Sequence, residues 1–209
     1  MNTHITVIID ESGSMFGNIK NVQDGFRTLL KDQKVAPGNA TMSIVKFNDT
    51  ANTLLESTDI LNVQPMIINS YRPRGSTALY DAIGMSVTEL SAEISLGNVN
   101  PDKILFVIMT DGAENRSTEF KSKDIQALVK NRKDKGWEFM FIGADEDALE
   151  SQTYDIGLTK DLAFSADYAS ASGVADTYTR MSGTITQYRG GKNLKCAIKD
   201  TEEVKEITE

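Results

Sequence analysis

Asp10, Ser12 and Ser14 stand at alternate positions in Asp10-Glu11-Ser12-Gly13-Ser14, directly after the apolar run His4-Ile5-Thr6-Val7-Ile8-Ile9. In extended backbone, alternate side chains point the same way, so one carboxylate and two hydroxyls can converge on a point. Three hard oxygens suit Mg²⁺ or Mn²⁺ and not a soft metal. Two more oxygen donors fall where other elements are expected to begin or end: Thr77 in Arg74-Gly75-Ser76-Thr77-Ala78-Leu79, and Asp111 in Val107-Ile108-Met109-Thr110-Asp111-Gly112. The same D-E-S-G-S turn can also cap a helix, with Asp10 or Ser12 accepting backbone N–H groups. The count of donors able to converge favours the metal reading once Thr77 and Asp111 are included. His4 is the sole histidine and has no cysteine beside it, so zinc is not expected.

The elements that must position these donors follow from apolar periodicity. A first strand over 4–9 leads into a helix over 14–31, with Ile19, Val22, Phe26, Leu29 and Leu30 on one face. Pro37-Gly38-Asn39 is a turn, 42–47 a second strand, and 52–57 an antiparallel edge strand. The stretch 59–74 is irregular, broken by Pro65 and Pro73. Thr77 is expected to open a helix that buries Leu79, Ile83, Val87, Leu90 and Ile94. Residues 103–109 are almost continuously apolar, as in a strand buried on both faces. Ser122 is expected to cap a helix carrying Ile125, Leu128 and Val129. A strand over 137–142, a short helix, a last strand over 162–164 and a helix over 172–188 complete the pattern. After Gly190-Gly191, residues 192–209 read as a mixed-charge tail without a convincing apolar stripe, disordered or lying over the domain. Alternating strands and helices imply an α/β fold whose mostly parallel sheet is covered on both faces.

Composition narrows the function classes. A chain of 209 residues can bury a sizeable core in one domain. A net charge of -8 argues against a nucleic-acid partner, which needs clustered Lys and Arg. Lys31-Asp32-Gln33-Lys34 and Lys130-Asn131-Arg132-Lys133 read instead as helix ends. No apolar run approaches the roughly 20 residues of a membrane span. With no basic region or cleavage site at its start, no signal peptide is expected. The single Cys196 fits a reducing compartment, so a cytoplasmic setting is expected.

The D-x-S-x-S…T…D pattern formed by Asp10, Ser12, Ser14, Thr77 and Asp111 resembles the metal-ion-dependent adhesion site (MIDAS) of von Willebrand factor A domains. The resemblance covers about residues 3–189, which sets the domain at 1–190 and the tail at 191–209. It implies a doubly wound, six-stranded sheet in the order 3-2-1-4-5-6, with strand three antiparallel. It implies Ser12, Ser14 and Thr77 as direct ligands of Mg²⁺ or Mn²⁺, with Asp10 and Asp111 acting through bound waters. It implies a non-enzymatic module whose metal takes an Asp or Glu carboxylate from a partner protein. Phe141-Ile142-Gly143-Ala144-Asp145 looks like the intracellular bacterial and phage type. Gly75-Ser76-Thr77 departs from the family's frequent Gly-Gly-Thr; Ser76 is tolerated unless that position needs positive φ. Glu114, Asp145, Glu146 and Asp147 fall on the same face, as acids that tune metal affinity or as solvated loop acids. Asp81, one turn into the next helix, is expected to bond within a loop and not to bind metal.

A metal-dependent phosphotransfer or hydrolytic enzyme is the competing class. Asp10 after a strand resembles the nucleophile of haloacid-dehalogenase phosphatases, but those need an Asp where this chain has Ser12. No G-x-x-x-x-G-K-[ST], G-x-G-x-x-G or G-x-S-x-G motif is present, and His4 lies at the wrong end of its strand to act as a base. A structural component of a phage or secretion assembly is compatible with the binding-module reading.

Overall fold

The computed structural model describes residues 1–144 and 146–208, with side chains described up to residue 203. Six strands form one sheet: β1 (Asn2–Asp10), β2 (Asn39–Phe47), β3 (Ala51–Asp59), β4 (Lys103–Thr110), β5 (Trp137–Gly143) and β6 (Ala163–Ser165). Their order is β3-β2-β1-β4-β5-β6. Every pairing is parallel except β2 with β3. The fold class and strand order implied by the sequence therefore hold. Six α-helices accompany the described strands: α1 (Ile19–Val35), α2 (Leu79–Ser95), α3 (Ser122–Lys133), α4 (Leu149–Asp155), α5 (Ala171–Arg189) and α6 (Leu194–Thr208).

The apolar strands are central because both of their faces are covered. After Asn2, every residue of β1 is buried, and after Lys103 so is every residue of β4. Each large aliphatic side chain buried there contributes about 1.5–3 kcal/mol. α1 packs on α5, and α2 on α3. Gly25 lets α1 approach closely, since a Cβ there would come within 2.2 Å of the Tyr178 ring on α5.

Several boundaries differ from the sequence reading, each for a local reason. Residues 13–18 are a 3₁₀ turn, and the α-helix starts at Ile19, not Ser14. Gly13, Gly17 and Asn18 are poor helix formers, and Ser14 is held elsewhere by Asp111. Thr77 does not open α2; it precedes the helix by two residues, with its N–H bonded to Asn115 Oδ1 at 2.9 Å. Ser122 does not cap α3. Lys121 holds that position, Asp124 accepts its N–H at 2.9 Å, and the Ser122 hydroxyl donates to Asp155 O. Leu162 closes a 3₁₀ turn ahead of β6. The presumed tail is largely helical: Leu194, Ala197 and Ile198 are buried and α6 packs on α5. No described helix is long and apolar enough to cross a membrane.

His4 sits near the start of β1, far from the strand's C-terminal end. Its Nδ1 lies 2.9 Å from Thr41 Oγ1 and its Nε2 3.2 Å from Thr6 Oγ1. Burial lowers its pKa from 6.5 to about 4. Because the folded value is the lower one, the neutral ring supports the fold above pH 6.5, and that support is lost as pH falls toward 4. At about 1.4 kcal/mol per pH unit, the parent is expected to lose about 3 kcal/mol relative to His4→Gln between pH 7 and pH 4. Urea denaturation of both proteins at the two pH values checks this; parallel losses would contradict it.

Candidate metal centre

In the parallel register, Ile9 lies beside Met109, so β1 and β4 reach their C-terminal ends together. The chain leaves β1 toward α1, which packs on α5, and leaves β4 toward α3, which packs on α2. The two strand ends therefore diverge into a crevice at the reversal of strand order, where open α/β sheets bind ligands. Asp10 is the last residue of β1, and Asp111 follows the last residue of β4.

The donors converge through a chain of short contacts. Asp10 Oδ1 accepts the Ser12 N–H at 2.7 Å, which bends the loop back over the strand end. Ser12 Oγ and Ser14 Oγ are 3.0 Å apart. Ser14 Oγ donates to Asp111 Oδ1 at 2.6 Å. Thr77 enters from the loop before α2, its Oγ1 3.5 Å from where a Cβ on Gly112 would stand. Asp10 at the end of β1, Ser12 and Ser14 in the turn after it and Asp111 after β4 are thus joined in one chain of hydrogen bonds, with Thr77 in the loop before α2 beside Gly112.

Residues that the sequence reading missed hold this arrangement. Thr110 donates to Asp10 Oδ2 at 2.6 Å, and Tyr71 donates to the Asp10 carbonyl at 2.7 Å. Asn115 holds Thr77 from both sides, accepting its N–H and donating to its carbonyl at 3.1 Å. Gly13 N–H donates to Gly75 O at 3.1 Å, Arg74 N–H to Glu11 O at 2.9 Å and Ala78 N–H to Asn48 O at 2.8 Å. Glu11 forms an ion pair with Lys46 at 2.7 Å. Thr110 carried a usable signal, a hydroxyl directly before Asp111; Asn115, Tyr71 and Lys46 carried none.

The left-handed residue of the Thr77 turn is Gly75, at φ +71°, and not Ser76, so serine is accommodated without strain. Asp49 explains the glycine as well, since its carboxylate occupies the space a Gly75 Cβ would need and accepts the Ser76 N–H at 3.0 Å. Glu114 is neither free nor aimed at the crevice. It accepts the Tyr80, Arg116 and Ser117 N–H groups at 2.9, 2.7 and 2.6 Å. Asp81 accepts from Thr118, Glu119 and Phe120 N–H, the loop role expected of it. Glu146 pairs with Lys160 at 3.1 Å; the Ser165 hydroxyl, and then Lys160, hold its carboxyl below the usual range. Asp145 lies outside the described residues.

Burial pushes the Asp10 carboxyl above its ordinary range; bonds from Ser12 and Thr110 oppose the push and the Asp111 charge adds to it. Burial also raises Asp111, against the pull of the Ser14 bond. The crevice thus gathers negative charge with no cationic side chain bonded to either carboxylate among the described residues. Among those residues, no three His, Cys, Asp or Glu side chains form a metal-holding group. The candidate donors are two carboxylates and three hydroxyls.

The family model for the von Willebrand factor type A domain matches residues 4–179. The chain belongs to this family. Inter-alpha-trypsin inhibitor heavy chain H2 of Mesocricetus auratus is 27% identical to this VWA domain over 133 residues, 61% of this chain and 14% of that protein. Among solved structures, the pilus adhesin SpaC of Lactobacillus rhamnosus GG superimposes with a TM-score of 0.69 at 17% identity, over 89% of this chain and 30% of that one. Proximal thread matrix protein 1 of the mussel byssus, solved with a zinc-occupied MIDAS motif, superimposes with a TM-score of 0.61 at 16% identity, over 87% and 46%. At these identities the two structures share the fold.

A carboxyl raised in the folded state stabilises the fold below its unfolded pKa. That contribution is lost as pH rises through the folded value, so the Asp111 charge weighs against the cation-free fold at neutral pH. Asp111→Asn keeps an acceptor for Ser14 and removes the charge. In EDTA at neutral pH this variant is expected to melt at or above the parent's temperature. A lower melting temperature would contradict the electrostatic account.

Proposed function

We propose that this VWA domain is a non-enzymatic, Mg²⁺-dependent protein-binding module. The cation, Mg²⁺ or Mn²⁺, is held by the Ser12, Ser14 and Thr77 hydroxyls, with Asp10 and Asp111 acting through bound waters. The spacing of the two serines carries this reading. Octahedral Mg²⁺ with bonds of about 2.0–2.1 Å sets neighbouring ligands about 2.9 Å apart, and Ser12 Oγ and Ser14 Oγ stand 3.0 Å apart. The raised carboxyls support it as well, because a nearby cation favours their charged form.

Neutral hydroxyls quench little of the ion's charge, so a bound cation supplies a Lewis-acidic position that takes an Asp or Glu carboxylate from a protein partner. The chain's own groups set this up. Asp10 bends the D-x-S-x-S loop through the Ser12 N–H, Asp111 orients Ser14, and Asn115 fixes the Thr77 backbone. A non-enzymatic role is supported by the position of His4, buried at the opposite end of β1 from Asp10, where it is no base for Ser12 or Ser14. A reducing, intracellular setting of the bacterial or phage type is part of the same reading; the exposed, unpaired Cys196 supports the reducing compartment.

Titration calorimetry is expected to find one Mg²⁺ or Mn²⁺ site, lost in Asp10→Ala. In Thr77→Ala and Ser12→Ala, affinity is expected to fall by at least about tenfold while far-UV circular dichroism and the EDTA melt match the parent. Undiminished binding in Asp10→Ala would place the ion elsewhere. A pulldown that retains its protein partner in EDTA would remove the metal from the mechanism.

A further inference from the structure

Glu11 is the one residue of Asp10-Glu11-Ser12-Gly13-Ser14 whose side chain points away from the converging donors, and it is buried with an opposite charge. Glu11 and Lys46 side chains are each 8% exposed, with Lys46 Nζ 2.7 Å from Glu11 Oε1. Desolvating two charges is costly, and an apolar pair of similar volume commonly serves stability as well or better. The pair's contribution therefore lies in geometry.

That geometry joins three segments. Glu11 Oε1 also accepts the Arg72 N–H. Lys46 Nζ also donates to Ser70 O at 2.8 Å. The Glu11 N–H donates to Phe47 O at 2.6 Å, and Glu11 O accepts the Arg74 N–H at 2.9 Å. One residue thus ties the end of β1 to the end of β2 and to the 70–74 backbone. The next rung is Gly13 N–H to Gly75 O at 3.1 Å, and Thr77 follows two residues later. The backbone carrying Ser12 and Ser14 and the backbone carrying Thr77 meet through these bonds.

We propose that the buried Glu11–Lys46 pair, with its bonds to the 70–74 backbone, is a positioning clamp that sets the Ser12 and Ser14 hydroxyls at their working distance from Thr77. Its purpose rests on the metal reading above; the clamp itself is open to test without metal.

The informative protein is the double variant Glu11→Gln/Lys46→Met. It removes both buried charges, so stability is expected to stay near that of the parent, and it removes the charge-assisted tie to residues 70–74. Two readouts apply. In EDTA, hydrogen exchange at the Gly13 and Arg74 amides is expected to speed up at least about tenfold relative to β1 and β4 amides, which stay protected as in the parent. In calorimetry with Mg²⁺ alone, affinity is expected to fall about tenfold or more, the usual scale for residues that orient ligands. Unchanged exchange at Gly13 and Arg74, or parental Mg²⁺ affinity in the double variant, overturns the clamp and leaves the pair a stability element. A parent that binds no Mg²⁺ defeats the metal reading instead, and exchange then decides the clamp alone. Where the double variant does not fold, Glu11→Gln/Lys46→Gln, which leaves polar groups at both positions and no unpaired buried charge, is expected to show the same faster exchange at Arg74; unchanged exchange there overturns the clamp equally.

Discussion

The parallel pairing of β1 with β4 is the constraint on which the rest of the structure depends. Both strands are buried almost throughout and on both faces, so a slip by one residue would exchange the side chains packed on one face for those packed on the other. Their register is therefore firmly set, and with it the level at which each strand gives way to loop. Asp10 and Thr110 meet across that boundary at 2.6 Å. Strand order reverses at this pair, so no crossover helix closes over the two ends. A polar crevice at this point follows from the topology; its chemistry is set by the side chains the loops deliver.

Those side chains carry an electrostatic conflict. Two carboxylates sit near one another, partly withdrawn from water, and burial raises both. Their hydrogen bonds come from neutral groups, the Ser12 N–H, Thr110 and Ser14. Such an arrangement is poor for a cation-free protein and well suited to one that takes up a small hard cation. The hydroxyls are as important as the acids. A cage of carboxylates would neutralise a divalent ion, whereas serine and threonine leave it able to attract another anion. The surrounding acids are spent on structure: Glu114 on the start of α2 and Asp81 on the 118–120 loop.

Much of this was legible in the sequence because it is written locally. The apolar runs and the punctuating glycines marked the strand ends, the D-x-S-x-S spacing marked the candidate donors, and the family resemblance supplied the strand order. What escaped depends on partners distant in the chain. The 3₁₀ turn at 13–18 persists because Ser14 is engaged by Asp111. Thr77 stays out of α2 because Asn115 captures its backbone. Lys46 reads as a stray charge in an apolar strand until Glu11 is placed against it. The short stripe of Leu194, Ala197 and Ile198 is too brief to announce a helix, and it becomes one against the surface of α5.

The most direct measurement of the central claim is the anomalous scattering of crystals grown with Mn²⁺. The account predicts one strong peak in the crevice between β1 and β4, bounded by the Ser12, Ser14 and Thr77 hydroxyls, with Asp10 and Asp111 reached through waters. A peak held by acids elsewhere on the surface, or an ion coordinated directly by both aspartates and by neither serine, would contradict it.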